Sequence, residues 1–490
     1  MEALISAVLS DLVSRAISFM VQKCHEQTTA EEDLQRLRQL LLRIHAIVEE
    51  AEGRWVINQG MIRQVSTMRE QMFRGYFLLD AFRCREKKTE DSEVSVAQSR
   101  FNPAKRFRLL SSNTQIESMV ICRDNRKEWK QVILVLENMV ADTKEFAIFL
   151  MSYPRMYRQP YGAHLYLDKY MFNRQKEREL AVSFLLHAEP LGNGKFGVLP
   201  IVGPAFVGKS TLVEHICNDC RVRSHFSLIL FYGKNDLKYE TVTTFRDDCV
   251  IKHQNIASAE KRQLVVIELL GDVDNGAWKR LQHSAETCMT HGSKIIITSR
   301  SEKKISLGTT EAIRLNFLSK EAYWYFFKML VFGSTGIEEH PKLTSIAMEL
   351  ALEMRGSFIF AYVVAAVLRE NLGARFWSRV LRYVRDYTQK NALLFGEYPL
   401  RERPQFVWSM AITWRGSEDI KFFLRFSENQ KGPASHGEVP KITAVELLSG
   451  TWSTMPQGKF KVLTWRSLIP PYYIYTADCE FVREERSSPA

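Results

Sequence analysis

The sequence predicts a multidomain fold, α at its start and α/β at its centre: an N-terminal helical bundle, a parallel sheet wrapped by helices, and a helical subdomain. Three observations carry this. Apolar residues recur at i, i+3/i+4 spacing through residues 1–150, and short apolar runs alternate with helical patterns from about Leu167. Between one such run and a helical pattern lies Gly203-Pro204-Ala205-Phe206-Val207-Gly208-Lys209-Ser210, the G-x-x-x-x-G-K-[ST] spacing of a phosphate-binding loop. At 490 residues the chain exceeds what a single core supports.

The elements follow in chain order. Leu4, Ile5, Val8, Leu9, Leu12, Val13, Ala16, Ile17 and Met20 form one helical stripe, and Leu34, Leu37, Leu40, Leu41, Ile44, Ile47 and Val48 form a second. A third helix around Val65–Arg83 and a fourth around Trp129–Leu150 complete an antiparallel bundle over residues 1–150. The polar Glu86–Arg100 stretch reads as an exposed loop between them. No catalytic constellation occurs in this region, so its expected work is contact with other proteins.

A sheet domain is expected over residues 165–318, with strands at Phe196–Val202, Ser227–Tyr232, Leu264–Leu270, Lys294–Thr298 and Ala312–Phe317. Helices at Glu321–Leu330, Lys342–Glu353, Phe360–Arg369 and Phe376–Tyr387 make a subdomain over 319–400. The last segment, 401–490, mixes Trp408, Trp414, Trp452 and Trp465 with the Pro470-Pro471 break; its period is ambiguous and its role open.

Composition narrows the partners. Net charge is +11, but the basic residues are spread out. The densest cluster, Lys105-Arg106-Phe107-Arg108 after Pro103, reads as a solvated connector, so nucleic-acid binding is not expected. The 8 cysteines are scattered, and the close pair Cys217 and Cys220 has no second pair to complete a metal site, which points to a reducing interior. The apolar run Phe358–Leu368 is too short to span a bilayer, and Met1–Val21 carries Glu2, Asp11 and Arg15 where a signal peptide needs an unbroken apolar centre. A cytoplasmic location is the expectation.

In the loop, Gly203 and Gly208 let the backbone curl so that its N–H groups face a phosphate, Lys209 neutralises phosphate charge, and Ser210 offers a hydroxyl to Mg²⁺. Thr211 continues into the helix, and with Val207 it completes the candidate nucleotide-binding set. The strand Leu264-Val265-Val266-Ile267 ends in Glu268, a candidate Mg²⁺ carboxylate beside Ser210. Leu269 follows, and an aliphatic side chain cannot orient an attacking water. Further on, His291-Gly292-Ser293-Lys294-Ile295-Ile296-Ile297-Thr298-Ser299-Arg300 sets an arginine just past a strand, where it can sense a γ-phosphate.

This order of motifs resembles the plant intracellular immune receptors of the coiled-coil, nucleotide-binding, leucine-rich-repeat class, whose central module is called NB-ARC. The resemblance covers residues 1 to about 400 and is strongest over 196–300. It implies a P-loop NTPase-type sheet domain holding ADP or ATP with Mg²⁺, phosphate contacts from Gly208, Lys209, Ser210 and Thr211, and a sensor role for Arg300. Asn173-Arg174 stands where the family's adenine-side segment begins, and Leu315–Phe327 is similar to its link between sheet and helical subdomain.

There are departures. Glu268-Leu269 stands where the family has paired aspartates, Gly271 where it has tryptophan, and Gly356-Ser357-Phe358-Ile359 where it has Gly-Leu-Pro-Leu. Its acidic N-terminal patch is reduced to Asp80, and no Met-His-Asp motif or leucine-rich repeat is recognisable after residue 400. The resemblance implies a divergent member that acts as a nucleotide-dependent switch, adaptor or helper in defence, its bundle meeting other proteins, full-length immune receptors among them. An active ATPase or remodeller, and a scaffold with a decayed site, are the alternatives.

Overall fold

The computed structural model describes residues 31–98, 114–155, 171–187, 196–204, 207–232, 250–254, 262–269, 278, 283, 285, 289–333, 340–395, 406–414, 418–426, 440–449, 459–466 and 474–482. The first helical stripe, Leu4–Met20, and the basic cluster at 105–108 lie outside them. The chain forms two compact units, Met1–Tyr161 and Gly162–Ala490.

In the first unit, helix α1 (residues 31–52) buries Leu34, Leu37, Leu40, Leu41, Ile44 and Val48, the stripe read from the sequence except for Ile47, which is half-buried. Helix α2 (Gln59–Gln98) buries Met68, Met72 and Phe73. A β-carbon on its Gly75 would meet Leu41 Cδ2 at 2.6 Å, so the two helices approach where the side chain is missing. Helix α2 also runs through residues 86–98, which the sequence reading leaves as a loop. The stretch is polar, but it holds no Gly or Pro and spaces Lys87 four residues before Asp91, so helix propensity outweighs the missing apolar stripe.

The expected fourth helix is two: α3 (Thr114–Ala141) and α4 (Thr143–Met151), parted at Asp142. Arg74 pairs with Glu128 at 2.9 Å and ties α2 to α3.

The second unit opens with α5 (Gln175–Leu186) and β1 (Gly197–Val202), then α6 (Lys209–Cys217), α7 (Cys220–His225) and β2 (Leu228–Tyr232). Strands β3 (Val250–Gln254), β4 (Gln263–Leu269), β5 (Lys294–Ser299) and β6 (Ile313–Arg314) complete a sheet of order β3-β2-β4-β5-β1-β6. It is parallel except where β3 pairs antiparallel with β2. Strands β1, β2 and β5 are buried at every position, as runs covered on both faces must be.

Along β4 the side chains part. Leu264 and Val266 join the core that includes Val207, Leu212 and Ile216, whereas Val265, Ile267 and Leu269 join the opposite layer with Trp278 and Ile297.

The helical subdomain is α8 (Lys320–Phe332), α9 (Pro341–Glu353), α10 (Phe358–Glu370) and α11 (Ala374–Phe395), each within a few residues of expectation except that α11 runs further. Ser319 caps α8 by accepting from Ala322 N–H at 3.2 Å. Arg385 of α11 reaches Glu349 and Glu353 of α9 at 2.7 and 2.9 Å.

After residue 400 the ambiguous segment is a second sheet. Strands β7 (Phe406–Trp414), β8 (Glu418–Phe426), β9 (Ile442–Thr443), β10 (Lys459–Arg466) and β11 (Ile474–Val482) order as β7-β8-β11-β10-β9. Helix α12 (Ala444–Ser449) starts in a capping box: Thr443 N–H donates to Glu446 Oε2 at 2.8 Å, and Glu446 N–H donates back to Thr443 Oγ1 at 3.2 Å.

Candidate functional site

The parallel register brings the candidate residues to one end of the first sheet. Val202, Leu269 and Ser299 lie level across β1, β4 and β5, so the chain leaves all three strands at the same edge. Such a carboxyl-end crevice is where open α/β sheets bind ligands.

The loop leaves β1 at Gly203, whose N–H donates to the Ser299 carbonyl at 3.2 Å. A β-carbon here would stand 2.3 Å from the Leu315 carbonyl oxygen, so only glycine lets the chain after β6 come this close. Val207 is fully buried and anchors the loop in the core. Gly208 sits at φ +92°, a left-handed turn that L side chains rarely adopt, and it starts α6.

Lys209 directs its ammonium across the loop, donating to the carbonyls of Gly203 at 2.8 Å and Pro204 at 2.6 Å. Ser210 donates its hydroxyl to Glu268 Oε1 at 3.3 Å. The two candidate Mg²⁺ ligands are therefore neighbours, on the face of β4 that looks toward α6. Thr211 is exposed one position further along the helix, and Arg300 is half-buried one residue beyond the end of β5.

Leu269 is different. At 5% exposure it packs in the layer behind the sheet, so an acid placed there would be a buried charge and not a water-orienting base. Glu268 is thus the carboxylate that β4 offers to the loop.

The segment before the sheet is drawn in as well. Asn173 takes φ +54°, and Arg174, buried to 8% exposure, donates to the Asn316 carbonyl and reaches Glu177 at 3.3 Å. Burial lowers the Arg174 pKa, partly offset by Glu177. These contacts tie the start of α5 to the link between β6 and α8.

An ionic cluster joins α5 to α7, both of which pack against α6. Arg221 makes two 2.9 Å bonds to Glu179 and reaches Asp219 at 2.8 Å, while Arg178 pairs with Asp219 at 3.2 Å. Burial opposes ionisation of Asp219, but its hydrogen bonds from Arg221 and the Arg221 and Arg178 charges prevail and hold its carboxyl below the usual range. Burial and then the Arg178 charge push His215, on α6 itself, down to about 4.

The sequence reading missed one group at the loop. Phe358, the first residue of α10, sets its Cε2 3.9 Å from the position a β-carbon on Gly208 would take. The segment Gly356–Ile359 shows only as a departure from a motif; a contact between a helix start and a loop 150 residues earlier has no local signal.

Residues 8–111 match the family model of the Rx N-terminal domain, and residues 186–336 match that of the NB-ARC domain. Disease resistance protein RGA2 of Solanum bulbocastanum is 22% identical over 366 residues, covering 71% of this chain and 36% of the relative. RGA1 of the same plant is 22% identical over 394 residues, covering 77% and 38%. RPP13-like protein 1 of Arabidopsis thaliana is 22% identical over 404 residues, covering 78% and 37%. The chain spans little more than a third of the length of these curated relatives.

Proposed function

We propose, from the premise that this chain belongs to the coiled-coil NB-ARC class of plant disease resistance proteins, that it is an ADP- or ATP-binding defence protein working by nucleotide occupancy. The observation that carries this is the convergence of Lys209, Ser210 and Glu268 on a loop that leaves a parallel strand and enters a helix. A hydroxyl and a carboxylate 3.3 Å apart fit Mg²⁺, which takes few protein ligands and completes its shell with water and phosphate oxygens. Bound there, the ion neutralises phosphate charge.

The chain's own groups do the rest. Backbone N–H groups at the start of α6 face the phosphates, Lys209 exchanges part of its bonding to the loop carbonyls for phosphate oxygens, and Glu268 holds Ser210 in place. Arg300 reads the third phosphate. Differential contact with that phosphate is what lets ADP and ATP favour different arrangements of the domains.

Turnover is slow on this reading, because the residue after Glu268 faces the opposite core and Glu268 is engaged with Ser210. ATP hydrolysis by the purified chain should fall well below about one per second, a common rate for phosphoryl-transfer enzymes. Turnover at or above that rate establishes the ATPase reading instead.

The N-terminal unit is the protein-contacting part, in an adaptor or helper role. Its support is exposed apolar side chains, Ile148, Phe149 and Met151 along α4 and Ile57 before α2, each more than three-fifths exposed. Among the described residues no helix is long and apolar enough to cross a membrane.

A further inference from the structure

A series of ring contacts reaches from the phosphate loop to the second sheet. Phe358 stands beside Gly208, its Cε2 3.9 Å from where a β-carbon would be, and meets Phe326 of α8 edge-on, with ring centroids 5.1 Å apart. Phe326 in turn meets Tyr362, one turn further along α10, at 5.7 Å. Tyr362 meets Trp465 of β10 at 6.4 Å. All three ring separations lie in the range where aromatic pairs attract beyond their buried area.

The start of α10 is fixed on its other side. Ser357 accepts from Phe360 N–H at 3.3 Å as the helix cap, and the buried Tyr323 hydroxyl donates to the Ser357 carbonyl at 2.7 Å. Phe326 is almost fully buried, so a displaced Tyr362 cannot be absorbed by a side chain moving into solvent. At the far end stands Gly208, the residue whose left-handed turn aims the first N–H groups of α6.

We propose that Trp465 is a positioning residue for the nucleotide site: from the C-terminal sheet it holds Tyr362, and through Phe326 it holds the Phe358 ring in its place beside Gly208. The sheet of residues 406–482 thereby sets the loop's affinity for nucleotide. This inference rests on the loop being a nucleotide site, and it gives the C-terminal segment a role that its sequence does not declare.

The test measures ADP affinity of the full chain by titration calorimetry, with Mg²⁺, for wild type, Trp465→Ala, Trp465→Phe, Phe358→Ala and the Trp465→Ala/Phe358→Ala double variant. Val462→Ala is the control, since Val462 is fully buried in the same strand but belongs to none of these ring pairs. Trp465→Ala should weaken ADP binding about fivefold, with Trp465→Phe within about twofold of wild type and the double variant no weaker than Phe358→Ala alone.

Wild-type affinity in Trp465→Ala, additive losses in the double variant, or an equal loss in Val462→Ala each overturns the proposal while leaving the loop's role intact. If Trp465→Ala does not fold, Tyr362→Leu takes its place with the same expected loss and the same contrary results. A wild-type chain that binds no ADP overturns the site reading itself, and this inference with it.

Discussion

Lys209 bonds to two carbonyls of its own loop, and Ser210 to the carboxylate of Glu268. The residue types and spacing of these groups were legible in the sequence, because loop chemistry is local. The direction of Leu269 was not, since it depends on how β4 sits between two layers. A second residue-scale effect concerns His215, held near 4 by burial and by Arg178, against about 6.5 in an unfolded chain. The folded state binds fewer protons than the unfolded state across that window, so stability rises with pH between them and is lost as pH falls from about 6.5 toward 4. The His215→Asn chain should lose less stability than wild type between pH 7 and pH 5, followed by chemical denaturation at each pH. Identical losses in both chains refute a role for His215.

At the scale of elements, β1, β2, β4 and β5 were readable because strands buried on both faces appear as unbroken apolar runs. Strand β3 was not: Val250-Ile251 gives way at once to Lys252-His253-Gln254, the pattern of an edge. The second sheet escaped for another reason. Its pairings, Trp408 with Leu424 and Phe422 with Phe481, join strands whose partnership no local window reveals. Gly203 follows the end of β1. A methyl group there meets the Leu315 backbone oxygen at 2.3 Å, and backbone cannot swing aside as a side chain can. Gly203→Ala should cost about 2 to 3 kcal/mol, read from denaturant midpoints, and should also lower ADP affinity. An alanine chain as stable as wild type contradicts the close packing of β6 on the loop.

At the scale of the whole molecule, the chain divides into a helical unit and a unit carrying both sheets. Residues 1–161 should fold alone as helices with a cooperative thermal transition by circular dichroism, since α1, α2 and α3 bury their stripes within that unit. A fragment without a transition contradicts the division. The unit that follows should be stabilised by its nucleotide, because a ligand that binds only the folded state adds about 2.7 kcal/mol at a hundred times its dissociation constant. What joins these levels is occupancy of the loop, and one measurement addresses it directly. The full chain and its Lys209→Ala variant are purified in parallel and denatured, and the released nucleotide is identified and counted by mass spectrometry. Occupancy of the loop predicts ADP or ATP near one per chain in wild type and a loss of at least about tenfold in the variant. Equal nucleotide in both, or none in wild type, contradicts it.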